Sequence, residues 1–252
     1  MMGPDIAFAL AAGAAAFAVG TGKGGVPMIG MLAVPILSLV MPPIAAAGLL
    51  LPVYVVSDMF GVWAYRREYS GRNLAILAPS AAVGIAVGWA TASIVSEAFV
   101  LLMVGIIGVS FCLASWFGRR SAEPHRADVP RGLFWGAVAG FTSFVTHAGG
   151  PPYQMYVVPQ RLPKMVYAGT STILFAAINW MKVPPYWALG QFSPGNLKVA
   201  LLVMPVAIVA TFVGVRLTRT IPERLFYRLV MAALFLLSLK LLYDALRSFA
   251  GA

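Results

Sequence analysis

The stretch Thr21-Gly22-Lys23-Gly24-Gly25-Val26-Pro27 stands between two apolar runs, 6–20 and 26–41, and its reading decides the fold. In a soluble protein a glycine-rich segment ending in proline is an ordinary loop. Between runs this apolar it is a helix break within a bilayer, where every exposed backbone N–H and C=O must find a partner in protein or in a water-filled cavity. Two adjacent glycines let the chain turn tightly and approach a ligand. Pro27 suits the first turn of a new helix, where its missing N–H costs nothing. The alternative is a plain tight turn between two helices at the membrane surface.

The rest of the chain supports the membrane setting. Of its 252 residues 60% are hydrophobic and 10% charged, with a mean hydropathy of +0.86; a soluble domain carries about 25% charged residues. Further apolar runs cover 44–65, 74–94, 99–117, 132–145, 153–158, 165–183, 197–215 and 225–246. With roughly 20 residues needed per crossing, an all-α polytopic membrane protein of about eight to ten segments is expected. The net charge of +10 comes from 18 Lys and Arg against 8 Asp and Glu, clustered in short loops. That clustering points to topology signals and contacts with anionic lipid heads, not to nucleic acid. The single cysteine, Cys112, excludes an intramolecular disulfide. The N-terminus has no basic segment before its apolar run, so a cleaved signal peptide is not expected.

Residues 1–117 and 132–252 repeat one another across the polar linker 118–131. Gly24-Gly25-Val26-Pro27 corresponds to Gly149-Gly150-Pro151-Pro152, Ala47-Gly48 to Ala168-Gly169, and Ser70 with Asn73-Leu74 to Ser193 with Asn196-Leu197. Val87-Gly88 corresponds to Val213-Gly214 and Glu97 to Glu223, and the offsets stay between 121 and 126 residues. Repeats of this kind are common in transporters. Placing the cationic groups around residues 66–72, 119–131, 161–164 and 216–228 in the cytoplasm, linker included, puts thirteen of the 18 Lys and Arg inside. Each half then holds a Gly-Gly hairpin plus three spanning helices, and because three is odd the repeats are inverted. The connection from 182 to 196, with one Lys, falls outside.

Candidate site residues gather at the breaks. N–H groups of Gly24, Gly25, Gly149 and Gly150, backed by the positive end of a helix dipole, suit an anion, and two breaks from inverted halves are expected to share one ligand. Lys23 is the only cation in the first 65 residues; it either supplies the counter-charge or snorkels to the interface. His147 occupies the matching place in the second half, as an anion donor, a proton carrier or a structural donor. Thr170 and Ser171 either bind substrate oxygens or bond back to their own helix. Asp58, the one carboxylate inside a long apolar run, is a coupling candidate, a partner for Lys23, or a group near the surface; Asn179 lies at its counterpart in the second half. Trp63, Tyr65, Trp116, Tyr186 and Trp187, near predicted helix ends, read as an aromatic belt. Two histidines and no clustered carboxylates speak against an enzyme, and no metal or cofactor is expected.

The two Gly-Gly-x-Pro elements, Ala168-Gly169-Thr170-Ser171, and the ending Val213-Gly214-x-Arg216 to Ile221-Pro222-Glu223-Arg224-Leu225-Phe226 resemble the sulfite exporter TauE/SafE family over nearly the whole chain. The resemblance implies a multi-pass carrier of the bacterial inner (plasma) membrane for sulfur-containing anions such as sulfite, sulfoacetate and other organosulfonates. Its glycine signature carries onto Gly22, Gly24, Gly25, Gly149 and Gly150, and its Gly-Thr-Ser onto Gly169, Thr170 and Ser171. The expected function is secondary transport by alternating access, with proton coupling open and an anion channel of the same architecture as the alternative. The expected partners are a small anionic substrate, the lipid bilayer and, as an option, a second copy of the chain in a homodimer.

Overall fold

The computed structural model describes residues 4–30, 32–92, 94–117, 124–190 and 192–250. The part 118–123 of the expected linker, with Arg119 and Arg120, lies outside them. Among the described residues the chain is helical, without strands. The helices are α1 (Pro4–Lys23), α2 (Pro27–Gly30), α3 (Ala33–Leu37), α4 (Pro43–Tyr65), α5 (Gly71–Ala90), α6 (Glu97–Phe117), α7 (Val129–Thr146), α8 (Gly150–Val157), α9 (Lys164–Ala188), α10 (Pro194–Thr220) and α11 (Glu223–Ala250). Six of them, α1, α4, α5, α6, α10 and α11, are long and apolar enough to cross a membrane. Helices α7 and α9 are also long, 18 and 25 residues, but polar residues such as Thr142 and Ser143 on one, and Asn179 and Lys182 on the other, dilute their apolarity.

Capping explains several repeated motifs. Ser70 accepts a bond from the N–H of Asn73 and caps α5, and Ser193 accepts one from the N–H of Asn196 and caps α10. Glu97 and Glu223 open α6 and α11, and Glu223 places a negative charge in the first turn of its helix, where it is favoured. Asp128 caps α7 through the N–H of Arg131 at 2.9 Å. The last residues of the expected linker are therefore helical.

Two expectations about helix extent are corrected. The run 26–41 is not one helical arm; it forms the short α2, opened by Pro27 and ended by Gly30, and the short α3, and the chain turns again before Pro43. The stretch after residue 182 is not all connection. Helix α9 continues through Pro184 and Pro185 to Ala188, because a membrane helix tolerates proline where neighbouring groups take over the freed backbone bonds.

The chain forms two compact units. The first comprises Met1–Tyr69 and Ala168–Ile221, the second Ser70–Tyr167 and Pro222–Ala252. Each draws on both sequence halves. In the first, Ala12, Ala15, Ala16 and Val19 of α1 pack on Leu49, Leu50 and Val53 of α4 and on Ala200 and Ala207 of α10. A Cβ on Gly20 would strike the Ala207 carbonyl, so the α1–α10 crossing is as close as backbones allow. The second unit pairs α5 with α7 and α6 with α11. There Gly140 lies over the Ala81 carbonyl and Gly84 over the Ala137 carbonyl. Small residues at crossings are how membrane helices gain contact when lipid supplies no hydrophobic drive. The outward faces carry Leu201, Leu202, Val209 and Leu236, all exposed, as helices solvated by lipid tails require.

Candidate functional site

Helix α1 ends at Lys23, and the chain reverses through Gly24 and Gly25. Gly25 takes φ 99°, a region L side chains avoid. The break bares carbonyls, and side chains meet them. The Tyr65 hydroxyl donates to the Gly24 carbonyl at 2.7 Å, as does that of Thr218 at 3.2 Å. Thr172 donates to the Lys23 carbonyl at 3.1 Å. Helix α10 contributes one face to this turn: Thr211 and Gly214 pack on Gly24, and Thr218 follows one turn later.

The N–H groups are used differently from the expectation. Those of Gly24, Gly25 and Val26 bond to the carbonyls of Gly20, Gly22 and Thr21. In this conformation they close the turn themselves and are not offered to an anion. Charge at this break is therefore carried by side chains.

Those side chains form a buried charged cluster. Lys23 Nζ lies 2.6 Å from Asp58 Oδ1, and the Asn179 amide donates to Asp58 Oδ2 at 2.7 Å. Lys23 is 8% exposed, and Asp58 and Lys182 are fully buried. Lys182 follows Asn179 by three residues on α9, so the two share a helix face. The charges of Lys23 and Asp58 both act on Lys182. Tyr54 lies one turn before Asp58 with its ring 5.1 Å from Lys23 Nζ, and Tyr186 lies one turn after Lys182 with its ring 5.4 Å from Nζ. Side chains of α4 and α9 reach the end of α1, and the cluster sits where they meet. The readings of Lys23 as snorkelling and of Asp58 as near the surface are thereby corrected: each is buried against the other.

The remaining predicted residues divide between the units. Thr170 and Ser171 are buried in the first, just before Thr172. His147, Gly149 and Gly150 lie in the second, at a break built on another plan. His147 itself takes the left-handed conformation, φ 56° and ψ 16°, and its N–H caps α7 on the Thr142 carbonyl. Gly149 has ordinary helical angles and leads into α8. The turn expected at the glycine pair is thus made two residues before it, by His147, a residue tolerated there more often than most. Pro151 and Pro152 lack N–H donors, so the start of α8 has those of Gly149 and Gly150 alone. Thr142 and Thr146 donate to carbonyls of their own helix, at 2.8 and 3.0 Å.

Lys182, Thr172 and Thr218 were not singled out by sequence. Tyr65 and Tyr186 read as belt residues but are buried, one holding the Gly24 carbonyl and the other facing Lys182. Trp63, Trp116 and Trp187 are exposed at the helix surface, where a belt requires them. The usable signal was spacing. Asn179 and Lys182 at i and i+3, and Thr211, Gly214 and Thr218 at i, i+3 and i+7, place polar and small residues on single faces of apolar helices.

A family model described as Sulfite exporter TauE/SafE matches residues 6–241. The chain belongs to this family. Comparison with curated proteins and with solved structures found no match. Members of the TauE/SafE family are membrane transporters, and the match takes in both breaks, the charged cluster and all but the end of α11.

Proposed function

We propose that this chain carries a small sulfur-containing anion, such as sulfite, sulfoacetate or another organosulfonate, across the bacterial inner membrane by alternating access, with Lys23 as part of the counter-charge. The observation that carries the proposal is the Lys23–Asp58 pair, 2.6 Å long and buried at the end of a broken helix. Ionisable residues within a membrane are expensive and mark substrate or ion pathways. Thr170 and Ser171, in the same unit, supply hydroxyl donors. His147, Gly149 and Gly150 are a separate candidate in the second unit.

The two-repeat, inverted reading draws support from matching details. Asp58 and Asn179 touch, and they stand 121 residues apart, the offset that relates Ala47 to Ala168. Two residues exchanged by a twofold can meet only at its axis. The first helix of each half also packs on the third long helix of the other, α1 on α10 and α7 on α5. In each crossing a glycine covers an alanine carbonyl, Gly20 on Ala207 and Gly140 on Ala81. Repeat-swapped packing of this kind suits rocking of one bundle against another.

The test is charge movement and labelled counterflow in proteoliposomes, with jumps of sulfite, sulfoacetate, taurine, sulfate and chloride. A saturable response to a sulfur anion, weakened in Lys23→Ala, is expected. Non-saturating conductance would favour a channel. Absence of both current and counterflow for every sulfur anion would overturn the proposal.

A further inference from the structure

We infer that Ser57 is a further binding residue of the first unit, its hydroxyl donating a hydrogen bond to an oxygen of the anion held at Lys23. The inference rests on the anion-carrier reading above and deepens it. Ser57 is fully buried, and its Oγ has no hydrogen-bond partner among the described residues. Hydroxyls in membrane helices ordinarily bond back to their own helix or across to a neighbour. Thr21, Ser80, Thr211 and Ser238 each donate to the carbonyl four residues back, at 2.7 to 3.1 Å. Thr172 and Thr218 reach across to carbonyls of the first break. Ser57 does neither, and a buried polar group without a partner is destabilising. A carrier has a second state in which such a group is met, the one with its ligand bound.

Three neighbours on α4 place Ser57 beside Lys23. Tyr54, three residues before it, has its ring 5.1 Å from Lys23 Nζ. Asp58, next in sequence, lies 2.6 Å from the same atom. Gly61, four residues on, faces the Lys23 backbone, since a Cβ there would stand 2.8 Å from the Lys23 carbonyl oxygen. At about 100° per residue, Tyr54 and Gly61 mark the line of α4 that faces Lys23, and Ser57 and Asp58 flank that line on opposite sides. Lys23 thus runs past the level of Ser57 between its backbone at Gly61 and its Nζ at Asp58. One Asp58 oxygen is in contact with Lys23, and the other takes the Asn179 amide bond. What this place still offers is donors, the Ser57 hydroxyl and an ammonium with three N–H groups set against one carboxylate oxygen. Such donors suit the oxygens of an oxyanion, to which a hydroxyl makes one of the stronger kinds of hydrogen bond.

The test is the half-saturation of sulfite, sulfoacetate and taurine in proteoliposome counterflow, with reversible SDS unfolding of the same full-chain preparations. Ser57→Ala should raise the half-saturation concentration by about tenfold or more, as loss of one hydrogen bond to a charged group does. Its unfolding midpoint should equal or exceed that of wild type, because the unliganded protein loses no bond. Ser57→Cys keeps the size with a weaker donor, and its half-saturation should fall between the two. A folded Ser57→Ala that half-saturates as wild type does would overturn the inference and leave the sulfur-anion reading standing. So would a Ser57→Ala that is less stable or does not fold, which would mark the hydroxyl as structural. Wild type that carries none of the three would overturn both.

Discussion

Removing Asp58 should destabilise this protein more than removing either lysine. Asp58 is fully buried and, among the described residues, carries the only buried negative charge. Asp58→Asn keeps the shape and removes the negative charge that pairs with Lys23 and acts on Lys182. Breaking a buried pair by removing one partner costs about 3–5 kcal/mol, and a loss in that range is expected here. Lys23→Met is milder, because Asp58 keeps the Asn179 bond at 2.7 Å and the charge of Lys182; about 1–3 kcal/mol is expected. Lys182→Met removes a buried charge that Lys23 repels and Asp58 attracts, and it relieves the desolvation of an ammonium group. It should be neutral or stabilising, as replacement of buried ionic groups by apolar ones often is. The assay is reversible SDS unfolding in mixed micelles, followed by tryptophan emission. An Asp58→Asn variant within about 0.5 kcal/mol of wild type, where unremarkable surface changes fall, would refute the reasoning, as would a Lys182→Met as damaging as Asp58→Asn.

Three more outcomes follow from the breaks. Gly25→Ala forces a side chain into φ 99° and onto the Tyr65 hydroxyl; a loss of about 2 kcal/mol or more is expected in the same unfolding assay. Tyr65→Phe leaves the Gly24 carbonyl with the longer Thr218 bond alone and should cost about 1–2 kcal/mol, with hydrogen exchange quickening at residues 24–26. His147→Gly removes the left-handed strain of a residue with a Cβ and should raise stability by up to about 1 kcal/mol. Running that variant through the counterflow assay also separates a purely structural His147, whose loss leaves transport unchanged, from one that serves the anion.

Much of the architecture was legible before any coordinates. Apolar runs near twenty residues can be little other than membrane helices, because lipid leaves the backbone no partner but itself. The motif Ser-x-x-Asn at 70–73 and 193–196 is local capping chemistry, so it reads directly from sequence. The breaks at 21–27 and 147–152 were visible because glycine and proline act on their own backbone. Lys23 and Asp58 stood out because charge is rare in such runs, and their pairing was one of the readings left open.

What the sequence by itself determined is therefore what neighbours along the chain decide: helices, caps, breaks, and the order of motifs that places the chain in its family. Tertiary structure decided who meets whom. Tyr65 looked like a belt residue until its hydroxyl was found on the Gly24 carbonyl, 41 positions away. The N–H groups of Gly24 and Gly25 looked free for an anion until the turn was seen to consume them. Lys182 stood at the junction of the apolar run 165–183 and the connection from 182 to 196, yet α9 runs on to Ala188 and holds it where the charges of Lys23 and Asp58 act on it. A charge's meaning depends on distance and burial, which arise where side chains of separate helices meet, and no residue records in its own identity which others will lie a few ångströms away.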